Sequence, residues 1–243
     1  MKLNLISFTQ LCLVIAILIS SNTEISGQTT TPQDSNSMNS ILLKPWIGPY
    51  GGVPPWRQVN RDEFLGAFDA AIKISNQEIE AIANNPDPPT FENTLVALEK
   101  SGKTLNRLQT IFDVHTSNLA TGPIPDIEKA VAPKLSKFSD SIIQNAKLFG
   151  RIEAIYQGDE MNSLNSSQKR LVKDRYDSFV RQGAKLNDKD KAVLSQKNAA
   201  LAGLFAEFSQ KVLSDEEGYI TWINDADQLA GLPESTVAAM ASA

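Results

Sequence analysis

Few residues of this 243-residue sequence are of a type that could carry chemistry. It contains one histidine, His115, and one cysteine, Cys12. These counts exclude a zinc cluster of cysteines and histidines, a metal-binding helix with two histidines, and a disulfide framework. A metal role for His115 would need carboxylates from other helices, and the sequence lacks the Glu-x-x-His repeats of di-metal bundles. We therefore predict a structural or surface role for His115.

Other catalytic patterns are missing as well. No serine occupies a G-x-S-x-G elbow, and the glycines of residues 49–55 lack the lysine and helix of a phosphate-binding loop. The acidic run at 215–217 is more typical of a solvated helix end than of an acid/base pair. A glycosidase would need two carboxylates that the fold brings together, which a sequence does not reveal. We predict no catalytic residue, no metal ligand and no cofactor in this chain, and leave substrate-binding residues unassigned.

Composition and charge narrow the classes of protein to which the chain could belong. Hydrophobic residues make up 42% of the chain and charged residues 21%, which is enough to build a globular core. The length suits one large domain or two small ones. The formal net charge is −5, so the basic surface of a nucleic-acid-binding protein is not expected.

The amino terminus has the pattern of an export signal. Lys2 precedes the apolar run 11–19, and polar and small residues follow at 20–28. This pattern predicts a secretory signal peptide over residues 1–27, and hence a periplasmic or extracellular protein that leaves the membrane after cleavage. The run falls short of the ~20 apolar residues of a membrane span, although an uncleaved anchor helix remains the alternative. Cys12 follows a leucine, which makes it a poor lipidation site.

Two non-helical segments follow the signal. Residues 28–40 are polar, and we predict a flexible linker there. Residues 41–56 (ILLKPWIGPYGGVPPW) are too rich in proline and glycine for a helix and too aromatic to remain free in water. We predict an ordered arm across the surface, with Trp46, Tyr50 and Trp56 as apolar anchors. The alternative is that these aromatic side chains face a ligand.

The rest of the chain has helical periodicity. Apolar residues recur at three- and four-residue steps, which predicts an all-α, multi-helix array. The predicted inward positions are Phe64, Phe68, Ile72, Ile79 and Ile82; Phe91, Leu95, Leu98, Leu105, Leu108 and Phe112; Ile127, Val131, Leu135, Phe138 and Ile142; Leu148, Ile152 and Ile155; Leu171, Tyr176, Phe179 and Val180; and Leu194, Leu201, Leu204, Phe205, Phe208 and Val212.

Capping residues predict where these helices begin. Asn60 and Glu63 have the spacing of a capping box, and Thr90 is a good N-cap. Ser166 or Ser167 is expected to cap a later helix, and Asn187 the last long one.

Glycine and proline predict interruptions in the pattern. Gly102 is expected inside a helix, at a cost of about 1 kcal/mol relative to alanine, where it would mark a close helix crossing. Pro133 predicts a kink or a late helix start. Residues 219–223 (YITWI) suggest a short strand or a buried extended segment. Pro233 is expected as the first residue of a helix that has only about two turns by residue 243, which suggests that more chain belongs to the fold.

Five segments together resemble one family. They are KPWIGPYGGVPPWRQV (44–59), NNPDPPTFENTLVALEKSG (84–102), LFGRIEAIY (148–156), RLVKDRYDSFVRQGAKL (170–186) and DQLAGLPEST (227–236). In this order they resemble the amino-terminal region of the M3 family zinc metallopeptidases, of the peptidyl-dipeptidase and oligopeptidase A types. The resemblance runs from about residue 41 to residue 243.

The resemblance implies a helical fold in which two halves clasp a channel that admits short peptides. It also implies a zinc site, H-E-x-x-H plus a glutamate, in the second half of the family members. One histidine cannot supply that motif, so no catalytic or zinc-binding residue carries over. The resemblance therefore implies a non-catalytic fragment, residues 41–243. It would form one channel wall, be inactive alone, and need the missing C-terminal catalytic region as its partner. The alternative is a stand-alone helical module that binds peptides or proteins.

Overall fold

The computed structural model describes residues 39–242, apart from the side chain of Glu217. The predicted signal peptide and most of the predicted linker lie outside these residues. Within residues 39–242 the chain is helical, and the only β-type pairing described there is one antiparallel bridge between Ile47 and Val53. The prediction of an all-α chain is confirmed for this part.

Nine helices are described within residues 39–242. They are α1 (Phe64–Ala83), α2 (Ala97–Lys100), α3 (Lys103–Asn118), α4 (Ile124–Ile143), α5 (Ala146–Gln157), α6 (Glu160–Ser163), α7 (Ser166–Arg181), α8 (Asp188–Gly218) and α9 (Glu234–Ala241). A π-helical turn, Phe91–Val96, leads into α2. Short 3₁₀ turns are Ile41–Leu43, Pro49–Gly51, Trp56–Gln58, Arg61–Glu63 and Ala226–Leu229. The main packing pairs are α1 with α3 and α4, α5 with α7, and α4 with α8.

The core consists of three apolar clusters. The first joins residues 41–43 to α1, α3 and the start of α4, where Phe64 and Phe68 both pack edge-on against Phe112. The second joins the ends of α1 and α4 to α5 and α7, and the third joins the π-helical turn to α5 and α7. Most of the predicted apolar stripes of α1 to α7 face these clusters, as the periodicity requires.

The segment that precedes α1 is held by leucines more than by aromatic residues. Leu42 and Leu43 are buried, and the Ser40 hydroxyl donates a hydrogen bond of 2.6 Å to Glu63 Oε2. Trp46 packs partly against the first cluster, but Tyr50 is fully exposed at a φ of 58°. The anchoring role predicted for Tyr50 is therefore wrong, because the turn that contains it points the ring into solvent.

Two of the predicted caps are confirmed. The Thr90 side chain accepts from the Asn93 amide, and the Asn187 side chain accepts from the Asp190 amide. The caps predicted at Ser166 or Ser167 are wrong. Asn165 precedes them and forms a reciprocal capping box with Gln168, which satisfies two free amides at once.

The predicted capping box of Asn60 and Glu63 is also wrong. Asn60 caps the 3₁₀ turn Arg61–Glu63 by accepting from the Asp62 amide. The Glu63 carboxylate accepts a hydrogen bond from Ser40, and the described contacts include none from the Asn60 amide to it.

The structure contradicts the expectation for Gly102 and excludes one of the two alternatives for Pro133. Gly102 is not inside a helix: it lies between α2 and α3 in a left-handed conformation, with φ at 71°. A Cβ added there would meet no atom within 4 Å, so the glycine does not mark a close crossing. Its amide donates a hydrogen bond of 2.7 Å to Glu78 Oε2. Pro133, by contrast, lies inside α4, which begins at Ile124, so the late-start alternative is excluded.

The segment between α8 and the 3₁₀ turn Ala226–Leu229 is neither a strand nor buried. Residues 219–225 are irregular and exposed, so both structures expected for residues 219–223 are wrong. Pro233 is the N-cap residue of α9 and not its first helical residue. None of the helices in residues 39–242 combines the length and the hydropathy that a membrane crossing requires.

Candidate functional site

His115 lies in an aromatic environment near the end of α3. Its ring centroid is 5.3 Å from that of Phe64 and 6.5 Å from that of Trp56, and the residue is buried. Burial lowers the pKa of His115, and the positive charge of Arg61 lowers it further. A neutral imidazole packed on aromatic rings serves the core, and nothing in these contacts prepares it for proton transfer.

Two carboxylates of the acidic run 215–217 have described side chains. Asp215 and Glu216 are exposed near the end of α8. The sequence analysis did not single out Glu128 of α4. Its partial burial raises its pKa, and the negative charge of Asp113 raises the pKa further, whereas a hydrogen bond from Gln210 lowers it. The structure brings no nucleophile or histidine into hydrogen-bonding contact with Glu128 among the described residues.

The donor set does not fit a catalytic zinc ion. Within residues 39–242 no group of three or more His, Cys, Asp and Glu side chains is placed to hold a metal. The full sequence has one histidine, and H-E-x-x-H requires two. No reaction step through zinc is therefore derived for these residues.

The most distinctive surface is one face of α8, the helix Asp188–Gly218. We define the α8 face as the side that carries the exposed apolar residues Leu201, Leu204, Phe205, Phe208 and Val212. Leu204, Phe205 and Phe208 are each more than 60% exposed. The prediction that these residues point inward is wrong, because no described element covers them. The periodicity of the sequence predicted the apolar stripe of α8, but we expected that stripe to face the core.

The opposite side of α8 is small or polar, which explains this orientation. Gly203 lies close to the Pro133 ring of α4, and Ala206 is buried. The Asn198 side-chain amide donates to Asp140 Oδ1 at 2.8 Å, and the Gln210 side-chain amide donates to the Pro125 carbonyl at 2.6 Å. Helix α8 therefore attaches to α4 through close approach and hydrogen bonds, which leaves its large apolar side chains outward.

Exposed apolar residues also follow the helix in the chain. Tyr219, Ile220 and Trp222 are each at least 66% exposed. Large apolar side chains exposed in a stripe, as on the α8 face, are typical of an interaction site. Next to it, Lys211 pairs with Glu207 at 3.0 Å and lowers the pKa of that carboxyl. The α8 face, with residues 219–222, is the candidate functional site: an apolar contact surface with a charged edge.

The relatives found by comparison with known proteins are peptidases. The chain is 34% identical over 207 residues to the dipeptidyl carboxypeptidase of Escherichia coli K12, and 35% identical over 208 residues to that of Salmonella typhimurium LT2. It is 24% identical over 199 residues to oligopeptidase A of Escherichia coli K12. No family model matches the chain.

The matches cover most of this chain and little of the relatives. They span 85% of the chain for both dipeptidyl carboxypeptidases and 82% for oligopeptidase A. The chain spans about 30% of the length of these curated relatives.

Proposed function

We propose that this chain, a homologue of the M3 family peptidases over 30% of their length, is a non-catalytic helical part of an M3-like peptidyl-dipeptidase. In such an enzyme it would form one wall of the channel that limits access to short peptides. The exposed α8 face is the observation that carries this proposal, because a packed helical array that also exposes a large apolar stripe lacks a partner for it.

The residues themselves support a scaffold role. Most buried positions of α1 to α7 are apolar, and the one histidine packs on aromatic rings. Zinc chemistry in an M3-like enzyme would therefore depend on ligands outside the described residues. We infer that the α8 face and residues 219–222 pack against the zinc-bearing region, which the proposal treats as the partner of this chain.

The proposal extends to location. The charged, apolar and small-residue regions of residues 1–27 fit a secretory signal, so we propose an exported protein. An alkaline phosphatase fusion after residue 40, which is active only when exported, tests this. Activity that disappears when residues 11–19 are deleted supports export, and activity that survives the deletion contradicts it.

A chimera tests the scaffold role. The segment of the Escherichia coli dipeptidyl carboxypeptidase that matches this chain is replaced by the matching residues of this chain, and release of a C-terminal dipeptide from a short acylated peptide is measured. We expect activity to be retained. A second chimera with Phe205→Ser and Phe208→Ser should lose activity together with its compact size in gel filtration. A well-folded chimera without activity would contradict the proposal.

The isolated chain provides a complementary test. Incubated with zinc and the same peptide, it should release no dipeptide, and release that depends on added metal would contradict the non-catalytic role. Sequencing the gene beyond the codon for Ala243 addresses the alternative of a stand-alone binding module. An in-frame H-E-x-x-H supports the enzyme part, whereas a stop codon followed by unrelated DNA supports the module.

A further inference from the structure

The α8 face carries a charged residue at each end of its apolar stripe. Lys197 precedes Leu201 by four residues and Asp215 follows Val212 by three, so both positions continue the helical steps of the stripe. Lys197 and Asp215 are exposed, and neither forms an ion pair with the described side chains of residues 39–242. The α8 face is therefore apolar in the middle, positive at one end and negative at the other.

The two charges lie at equal distances from the middle of the face. Lys197 is nine residues before Ala206, and Asp215 is nine residues after it. Two of the exposed apolar residues share this symmetry, since Leu204 is two residues before Ala206 and Phe208 is two residues after it. A helix with this arrangement is complementary to a second copy of itself that runs in the opposite direction.

An antiparallel pair of α8 helices, aligned at Ala206, places apolar and charged groups correctly at the same time. Leu204 of each copy then faces Phe208 of the other copy, and Lys197 of each copy faces Asp215 of the other copy. The positions follow the steps of three and four residues that form the seam between paired helices. The contact therefore buries the stripe and pairs both charges twice.

A parallel pair does not fit the same face. It would place two Lys197 side chains together at one end and two Asp215 side chains together at the other, where like charges repel. The antiparallel arrangement has two-fold symmetry, which is the commonest symmetry of homodimers.

A second copy can bind without a change in the rest of the fold. The opposite side of α8 is held on α4 by the close approach of Gly203 to Pro133 and by the hydrogen bonds of Asn198 and Gln210. The large apolar side chains of the α8 face are already exposed in the single chain. Binding therefore uses a surface that the fold has formed beforehand.

We propose that the chain on its own forms an antiparallel dimer, in which the α8 face of one copy covers the α8 face of a second copy. This inference goes beyond the proposed function, because it concerns the chain without the zinc-bearing region. That region and the second copy would cover the same face, so the binding of one excludes the other. A contact between two single helices is small for a stable interface, and we expect a Kd of about 1 to 100 µM.

A zero-length crosslinker tests the alignment in the purified chain. A carbodiimide joins a lysine amine to a carboxylate only when the two groups are in contact. Within one copy, Lys197 and Asp215 lie about 27 Å apart along α8, so a link between them must join two copies. We expect mass spectrometry to find this link in the crosslinked dimer. A crosslinked dimer without it, or no dimer at about 500 µM protein, overturns the proposal.

Charge reversal tests the complementarity by sedimentation equilibrium. Lys197→Glu should weaken the dimer about tenfold, because two-fold symmetry turns two attractions into two repulsions. Asp215→Lys should weaken it similarly, and the double variant should recover the original Kd. Lys189→Glu is the matched control, since Lys189 is exposed on the same helix but outside the series of the α8 face; its Kd should stay within about twofold. Equal effects of Lys189→Glu and Lys197→Glu, or no recovery in the double variant, overturn the proposal.

Association through another surface would give a different result. Dimers that survive both charge reversals, but disappear when residues 11–19 are replaced by serines, would assign the contact to that apolar run and overturn the proposal. The dimer is measured without hydrolysis and the chimera by hydrolysis, so the failure of either test leaves the result of the other standing.

Discussion

Arg151 of α5 donates a hydrogen bond of 2.7 Å to Asn93 Oδ1, in the π-helical turn 58 residues earlier in the chain. The same oxygen accepts from the Thr90 amide at 2.8 Å, so one side chain completes a capping box and binds a distant arginine. The Arg151 guanidinium also donates to the carbonyls of Asn85 and Asp87, at 2.9 and 3.1 Å. Arg151 thus fixes the connection between α1 and the π-helical turn.

Replacing this arginine should destabilise the chain. Arg151→Met leaves several acceptors without a donor, and we expect the free energy of unfolding to fall by about 3 kcal/mol in urea denaturation. Arg170→Met is the control, because the Arg170 side chain is 84% exposed and, within residues 39–242, pairs only with Asp174; it should change stability by about 0.5 kcal/mol or less. Similar losses in the two variants would refute a structural role for the Arg151 contacts.

Gly102→Ala should destabilise the chain by about 1 kcal/mol, because alanine is strained at the left-handed φ of this residue. Gly150→Ala is the matched control: Gly150 lies inside α5, and a Cβ there would meet no atom within 4 Å. We expect that substitution to stabilise by about 1 kcal/mol. Thermal denaturation of both variants checks the opposite signs, and two increases in stability would place Gly102 in a helix after all.

His115 should make stability fall at acidic pH. Its folded-state pKa is lowered below its usual value, so the unfolded chain binds the proton more readily. The free energy of unfolding of the unmodified chain minus that of His115→Phe should therefore decrease as pH falls from about 7.5 to about 5. Glu128 and the other carboxylates titrate in both proteins, so their contributions largely cancel. Parallel stability curves across this range would contradict the direction given for the His115 pKa.

The α8 face should contribute to association and not to folding. The double substitution Phe205→Ser and Phe208→Ser should reduce binding of a hydrophobic dye and concentration-dependent self-association. Its free energy of unfolding should change by about 0.5 kcal/mol or less, since both side chains are already exposed. Phe179→Ser is the contrasting variant: Phe179 is buried, and its loss should cost about 4 kcal/mol. A large loss of stability in the double variant would place these phenylalanines in the core.

Much of the helical fold could be predicted from local pattern. The stripes of α1 to α5 and α7 and the caps at Thr90 and Asn187 depend on neighbours within a turn or two, which the sequence displays directly. Gly102 was misplaced because a periodic stripe continues across it, although the chain changes direction there.

The candidate site was harder to predict because its features depend on distant parts of the chain. The α8 stripe was recognised, but periodicity does not tell whether another element covers it, and the small residues Gly203 and Ala206 decided which side faces α4. The acceptors of Arg151 lie in the loop after α1 and in the π-helical turn, 58 to 66 residues earlier in the chain, so no local spacing reveals them.

The hydrogen bond between Ser40 and Glu63 limits how far the amino terminus can be trimmed. An aminopeptidase that reached Ser40 would meet a residue held by this hydrogen bond, and Leu42 and Leu43, which follow it, are buried. Digestion by such an enzyme would therefore stop near Ser40 and leave a product with a defined first residue.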